Sequence, residues 1–261
     1  MKTPKIIFFD IDETLFAHRT RTVPASAIAA LEKLKARGIR CAIASGRSPC
    51  VFPAQIQELR RAGLLEVAIA INGQYCLDGD RVLRDHPIPS ADVEALLTIA
   101  RAAGFDYGFI TPTEMVMSAA SDRVREALRN IGPYRIDPEH HRRAPVYQLL
   151  VFVDSAEEEA LRPGIGLGYK SVRWHPLAVD WLASASSKAL GIAAVCAELG
   201  VSAADCLAFG DGLNDLEMAA AVGYFVAMGN GHPDLLARAD FIAPAAADDG
   251  IARALEQLEI L

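Results

Sequence analysis

The sequence predicts an α/β protein: a parallel sheet with helices on both faces, interrupted by an inserted α+β segment. Three observations predict it. Short apolar runs alternate with helical stretches over the first part of the chain. A middle stretch, roughly 83–182, loses that rhythm and shows hairpin signals and separated helices. From Lys188 onward the first rhythm returns. Strand–helix–strand spacing of this kind builds parallel pairs. Right-handed crossovers then collect the strand C-terminal ends along one edge, where open parallel sheets bind their ligands.

Each element follows from its residues. Ile6-Ile7-Phe8-Phe9 is a buried strand that runs into Asp10-Ile11-Asp12-Glu13-Thr14-Leu15. Residues i and i+2 of a strand share a side. Asp10 and Asp12 are therefore expected to emerge together, and to repel unless a cation lies between them. The pattern also suits a strand-end turn with solvated aspartates. Pro24-Ala25-Ser26 opens a helix to about Arg37, with Ala29, Leu31, Leu34 and Ala36 on its inner face and Gly38 as its stop. Arg40 to Ala44 is a second strand, followed by the turn Ser45-Gly46-Arg47-Ser48-Pro49 and a helix over about 50–62. Glu66 to Ile71 is a third strand, ending in Asn72-Gly73. Asp10, Asp12, Ser45, Arg47 and Asn72 thus all fall at strand ends.

The insert begins after an Asp78-Gly79 hairpin. Helices are expected at about 90–103, about 120–131 and after Val153, with strands at Phe105–Ile110, Tyr147–Val153, Ser171–Trp174 and Ala178–Leu182. The polar loop Glu139-His140-His141-Arg142-Arg143 is expected to be solvated, with substrate contact as the other possibility. Tyr107 and Phe109 alternate as sheet packing does, and Trp174 and Trp181 fit a core or an interface. In the returning segment a helix runs from Ser186 or Ser187 to Leu199. The strand Asp205–Phe209 then enters Gly210-Asp211-Gly212-Leu213-Asn214-Asp215. The expected division is a core of residues 1–82 and 183–261 around an insert of residues 83–182.

Composition narrows the function. The chain has 261 residues, 52% hydrophobic and 23% charged, with a net charge of −7. An acidic balance argues against a non-specific nucleic-acid binder. No apolar run reaches the roughly 18 residues that span a bilayer. Met1-Lys2-Thr3-Pro4 leads straight into a strand, so no signal peptide is expected. Cys41, Cys50, Cys76, Cys196 and Cys206 are scattered and form no CxxC pair, which suits buried thiols in the cytoplasm.

The site follows from charge. Asp10, Asp12, Asp211 and Asp215 would place four carboxylates at one sheet edge. Hard oxygen ligands favour a cation such as Mg²⁺. Lys188 opens a helix, where amides and ammonium together favour an anion. Ser45 offers a hydroxyl and amides suited to a phosphate oxygen. A phosphoryl group adds up to about two further negative charges, so its entry would require both the metal and the lysine.

The ordered motifs Asp10-Ile11-Asp12-Glu13-Thr14-Leu15, Ser45-Gly46-Arg47, Lys188 and Gly210–Asp215 resemble those of haloacid dehalogenase (HAD) superfamily phosphatases. Val226-Ala227-Met228-Gly229-Asn230 and Asp249-Gly250-Ile251-Ala252 resemble the Cof-like branch with a type IIB cap. The resemblance implies a Rossmann-like core, and an insert that acts as the cap and supplies the leaving-group pocket. It implies Mg²⁺-dependent hydrolysis of small phosphorylated metabolites, such as sugar phosphates or phosphorylated cofactors, by a monomer or homodimer. Asp10 would be the nucleophile that forms an aspartyl-phosphate. Asp12 would be general acid and then base, and would bind Mg²⁺ through its backbone carbonyl. Asp10 and Asp211 would supply carboxylate ligands. Ser45 and Lys188 would hold phosphoryl oxygens, while Asn214 and Asp215 order the surrounding shell. Gly46, Arg47, Asn72 and Asn214 join Ser45 and Lys188 as candidate substrate contacts. Two positions depart from the family pattern: Glu13 and Ala189 stand where glycine is frequent. A sugar phosphomutase and a non-catalytic phosphate-binding regulator are the alternatives.

Overall fold

The computed structural model describes residues 2–166 and 168–261. Met1, at the start of the expected core and of the expected leaderless N-terminus, and Leu167, inside the expected insert, lie outside the described residues. In chain order the first stretch forms β1 (Ile6–Phe9), α1 (Ala25–Ala36), β2 (Arg40–Ala44), α2 (Ala54–Arg61), β3 (Val67–Ala70), β4 (Tyr75–Asp78) and β5 (Arg81–Asp85). Then come α3 (Ser90–Ala102), β6 (Tyr107–Ile110), β7 (Met115–Met117), α4 (Asp122–Leu128), β8 (Arg135–Ile136), β9 (Gln148–Val151), α5 (Ser155–Ile165), β10 (Tyr169–His175) and β11 (Ala178–Ala183). The last stretch forms α6 (Lys188–Leu199), β12 (Cys206–Gly210), α7 (Leu216–Ala221), β13 (Tyr224–Met228), α8 (Pro233–Leu236), β14 (Phe241–Ala243) and α9 (Gly250–Gln257).

The chain divides into two compact units. The first holds Met1–Arg47, Phe52–Asp85 and Ser187–Leu261; the second holds Ser48–Val51 and His86–Ser186. The sheet of the first unit runs β14-β13-β12-β1-β2-β3-β4-β5. Its pairs are parallel from β14 to β3, and the hairpin β4–β5 adds two antiparallel strands at the edge. β1 lies between β12 and β2, with Phe8 opposite Ala208 and Ala42. Burial on both faces explains its unbroken apolar run. Ile6 and Phe8 pack with Ile192 and Val195 of α6 and Met218 of α7. Ile7 and Phe9 point the other way, to the side where α1 packs on β2 and α9 on β13 and β14.

The second unit has its own sheet, ordered β10-β11-β9-β6-β7-β8. Tyr107, Phe109, Leu149, Val151, Val179 and Trp181 form its core with α3 and Ile165 of α5. Tyr107 and Phe109 meet edge to face, their ring centroids 5.6 Å apart. Among the described residues, no helix is long and apolar enough to cross a membrane.

Several local expectations are corrected. The inner face of α1 is Ala27, Ala30, Leu31 and Leu34, whereas Ala29 and Ala36 are exposed. Alanine is small enough to suit either face, so it carries little directional signal. The helix expected over 50–62 is split into a 3-10 turn at Pro49–Val51 and α2, which starts after Pro53. A proline disfavours helical backbone in the residue before it, here Phe52. His140 and His141 are buried, not solvated. His141 stacks on Phe109 at 5.2 Å, and its Nε2 lies 2.9 Å from Glu94 Oε1. An aromatic face and a carboxylate give the ring a buried home that the polar run concealed.

Candidate active site

β1 ends at Phe9, and the next residue continues the ladder by one bond, Asp10 N donating to Phe209 O at 3.0 Å. The chain then turns: Phe16 N reaches back to Ile11 O at 2.7 Å, with Glu13 at a φ of 54°. Asp10 and Asp12 therefore do not emerge side by side from a strand.

Asp10 is 6% exposed and Lys188 is fully buried. Lys188 Nζ lies 2.7 Å from Asp10 Oδ1 and 2.6 Å from Asp215 Oδ1. Ser187 caps α6 by accepting from Leu190 N, which fixes the first turn and aims Lys188 inward. Gly191 permits the close approach: a Cβ there would lie 2.3 Å from Ile69 Cγ2. Asp215 Oδ2 accepts from Asp211 N at 2.9 Å and Gly212 N at 3.0 Å. Gly210 leaves room for this, since a Cβ there would stand 2.5 Å from Asp215 Oδ2. Thr14 Oγ1 donates to Asp211 Oδ1 at 2.9 Å.

One ammonium thus serves two buried carboxylates. Burial raises the Asp10 carboxyl well above its ordinary range; Lys188 opposes the rise and Asp215 adds to it. Burial alone would lower the Lys188 ammonium, but its two carboxylates outweigh that and raise it. Asp211 is pushed up to about 6, chiefly by burial, against the Thr14 bond. Oxygens of Asp10, Asp211 and Asp215 all lie within 4.8 Å of one another. Both Asp215 oxygens are already engaged by Lys188 and two amides. Asp10 and Asp211 are the carboxylates placed to hold a hard divalent cation, and the donor set fits one.

Asp12 does not join this cluster. Arg47 grips its carboxylate with Nε on Oδ2 at 2.6 Å and Nη2 on Oδ1 at 2.8 Å. His18 Nε2 lies 2.6 Å from Asp12 Oδ1. Burial alone would raise the Asp12 pKa, but the Arg47 bonds and His18 hold it below the usual carboxylate value. Three of the four expected carboxylates are brought together; the fourth, Asp12, is ion-paired with Arg47 instead. Arg47 is accordingly committed to Asp12, not an open cation.

The remaining candidates lie as follows. Ser45 is buried at the end of β2, and its Oγ accepts from Arg47 N at 3.1 Å. Ser45 O accepts from Asn72 N at 3.2 Å. The Asn72 side chain stands 3.1 Å from where a Gly46 Cβ would be, so glycine lets these two turns close together. Asn214 sits exposed on a 3-10 turn with its amide folded over Gly212. Glu13 helps to hold its own loop in shape. Its Oε1 accepts from His18 N at 3.0 Å, and its carbonyl accepts from Asn230 Nδ2 at 2.9 Å. His18, and the reach of Asn230 to this turn, were not foreseen. His18 stands in a polar run, and only the folding-back of the loop brings it to Asp12.

Residues 7–255 match the family described as haloacid dehalogenase-like hydrolase. A putative phosphatase of Bacillus subtilis is 36% identical over 264 residues, covering 98% of each chain. A putative bifunctional phosphatase/peptidyl-prolyl cis-trans isomerase of Streptococcus pyogenes is 35% identical over the whole of this chain, which spans 55% of that relative's length. Among solved structures, a sugar phosphatase of HAD subclass IIB is 29% identical, with a TM-score of 0.87 over 98% of this chain and 100% of that one. The chain belongs to the haloacid dehalogenase-like hydrolase family, and within it to the phosphatases.

Proposed function

We infer that this protein is a Mg²⁺-dependent phosphatase that hydrolyses phosphate monoesters of small metabolites, sugar phosphates or phosphorylated cofactors, through an aspartyl-phosphate. The observation that carries this is the buried Lys188 ammonium between Asp10 and Asp215, with Asp211 adjoining. The likeness to a subclass IIB sugar phosphatase supports the substrate class. The five cysteines are free thiols, which supports a reducing, cytoplasmic setting.

The residues divide the work. An Asp10 oxygen attacks phosphorus, and the phosphorus–oxygen bond to the organic group breaks in line. Asp12 gives a proton to the departing oxygen. Water then attacks the aspartyl-phosphate, Asp12 takes its proton, and inorganic phosphate and free Asp10 are regenerated. Lys188 holds Asp10 in place and neutralises charge on the phosphoryl oxygens, and the buried Ser45 hydroxyl orients one of them. Mg²⁺, held by Asp10, Asp211 and the Asp12 carbonyl, would supply further positive charge at those oxygens. Asp12 can donate only once protonated, so its grip on Arg47 must loosen; an incoming phosphate dianion competes for that guanidinium.

The test is phosphate release from a generic aryl phosphate, with and without Mg²⁺. Release that needs the metal, and falls by about a thousandfold or more in Asp10→Asn, is the expected result. Asp10→Asn at wild-type turnover would exclude Asp10 as nucleophile.

A further inference from the structure

Glu13 stands in left-handed backbone, at a φ of 54°, a region that glycine enters freely and other residues rarely. A side chain kept there points to a task. Its Oε1 accepts from His18 N at 3.0 Å. Glu13 N donates to Phe16 O at 2.9 Å, and Ala17 N to Thr22 O at 3.0 Å, so the loop is folded back on both sides of His18. The Phe16 and His18 rings meet edge to face, their centroids 6.0 Å apart. Glu13 and Phe16 thus fix the backbone and the ring of His18, and neither takes a ring nitrogen. His18 Nδ1 lies 3.6 Å from Glu13 Oε1, outside hydrogen-bond range.

The nitrogen in use is Nε2, 2.6 Å from Asp12 Oδ1. An ionised carboxylate only accepts, so Nε2 carries the hydrogen. Asp12 therefore has two anchors. Arg47 takes both of its oxygens, with Nε on Oδ2 and Nη2 on Oδ1, whereas His18 takes Oδ1 alone. An entering phosphate dianion separates the two. The guanidinium is drawn to the dianion, which releases Oδ2. The imidazole is pinned through Glu13 and keeps Oδ1. Oδ2 is then the free oxygen of a carboxyl group that cannot swing, and it is the one placed to carry the proton. A donor held in one orientation transfers its proton more effectively than one that rotates.

We propose that His18, held in place by Glu13, is a positioning residue for Asp12, fixing Oδ1 so that Oδ2 handles the proton. The Oδ2–H bond breaks as its proton passes to the departing oxygen, and it re-forms with a proton of the hydrolytic water as that water's oxygen bonds to phosphorus. This rests on the phosphatase reading and goes beyond it, because it gives Glu13 and His18 a task in the reaction.

The test measures kcat/KM in the presence of Mg²⁺ for the full chain and for His18→Ala, His18→Gln and Glu13→Gly, over aryl phosphates from dinitrophenyl to phenyl phosphate. His18 is exposed, and glycine suits the backbone at position 13, so the variants are expected to fold. The esters share a shape, but dinitrophenolate departs without a proton and phenolate needs one. In His18→Ala the loss on phenyl phosphate should exceed the loss on dinitrophenyl phosphate by about ten-fold or more, with KM for phenyl phosphate changed by less than about two-fold. His18→Gln, whose amide can supply the same N–H, should recover part of that loss. Glu13→Gly should give a smaller loss of the same kind and add none in the His18→Ala background. Equal losses along the series would make His18 a structural residue of the loop, and a raised KM on every ester would make it a substrate contact. Either result ends the proposal, as does wild-type behaviour of His18→Ala. A wild type that releases phosphate from no ester overturns the phosphatase reading and the proposal with it, whereas an active wild type with one of those results ends the proposal alone.

Discussion

At the scale of the residue, Lys188 sets the charge balance of the site. It is the partner of both Asp10 and Asp215, and all three are shielded from water. Lys188→Met would leave two buried carboxylates facing each other. A loss of about 3–5 kcal/mol in unfolding free energy at neutral pH is expected from urea denaturation, recovered in part by Mg²⁺. Arg47 plays the corresponding part for Asp12. Arg47→Met removes two bonds to the carboxylate while much of the burial stays, so the Asp12 pKa rises. The limb of the kcat/KM profile that Asp12 governs should move to higher pH, and an unmoved limb would show that Arg47 does not tune it. The identities of these residues were legible in the sequence, because acids and a lysine at strand and helix ends have few bland uses in that number. Their pairing was not. Nothing in the residue types foretells that Asp12 turns from Asp10 toward Arg47 and His18, since that depends on a left-handed turn at Glu13.

At the scale of the element, α6 and β11 are the informative cases. Helix α6 was legible from both ends, with Ser187 as its cap and Gly200 as its left-handed stop. Its depth was not, because it depends on Gly191 lying against Ile69 and Gly73. Gly191→Ala would push α6 off β3 at about 1–3 kcal/mol. Lys188 lies one turn away, so kcat should fall by more than the stability change accounts for; equal wild-type kcat in the folded fraction would contradict this. In β11 the alternation marked a strand but not the open face on which Asp180 lies. An aspartate with a raised pKa favours the folded state when protonated. Its contribution is complete below the unfolded value near 4 and is lost as pH rises toward about 8. Asp180→Asn removes this dependence. The stability difference, variant minus wild type, should therefore grow between pH 5 and pH 9, as read from unfolding curves at each pH; a constant difference would show that the carboxyl titrates normally.

At the scale of the whole molecule, each unit carries its own hydrophobic core, one around Phe8, Ile69 and Val195 and the other around Phe109, Leu149 and Trp181. The change of rhythm along the sequence marked two kinds of architecture. It could not show that β4 and β5 join the first sheet, because strand pairing is decided by contacts distant in sequence. The proposed metal ligands Asp10, Asp12 and Asp211 all belong to the first unit. A ligand that binds only the folded form stabilises what its ligands hold together, by about 2.7 kcal/mol at a hundred times its dissociation constant. Mg²⁺ bound there should slow amide hydrogen exchange in β1, β12 and the first turn of α6, and in the Asp211 and Gly212 amides that bond to Asp215. The amides of β9, β10 and β11 should exchange at their metal-free rates, because no proposed ligand of the cation resides in that sheet. Asp211→Asn should abolish the slowing. Equal slowing in both sheets, or slowing that survives in Asp211→Asn, would place the cation elsewhere than on Asp10 and Asp211.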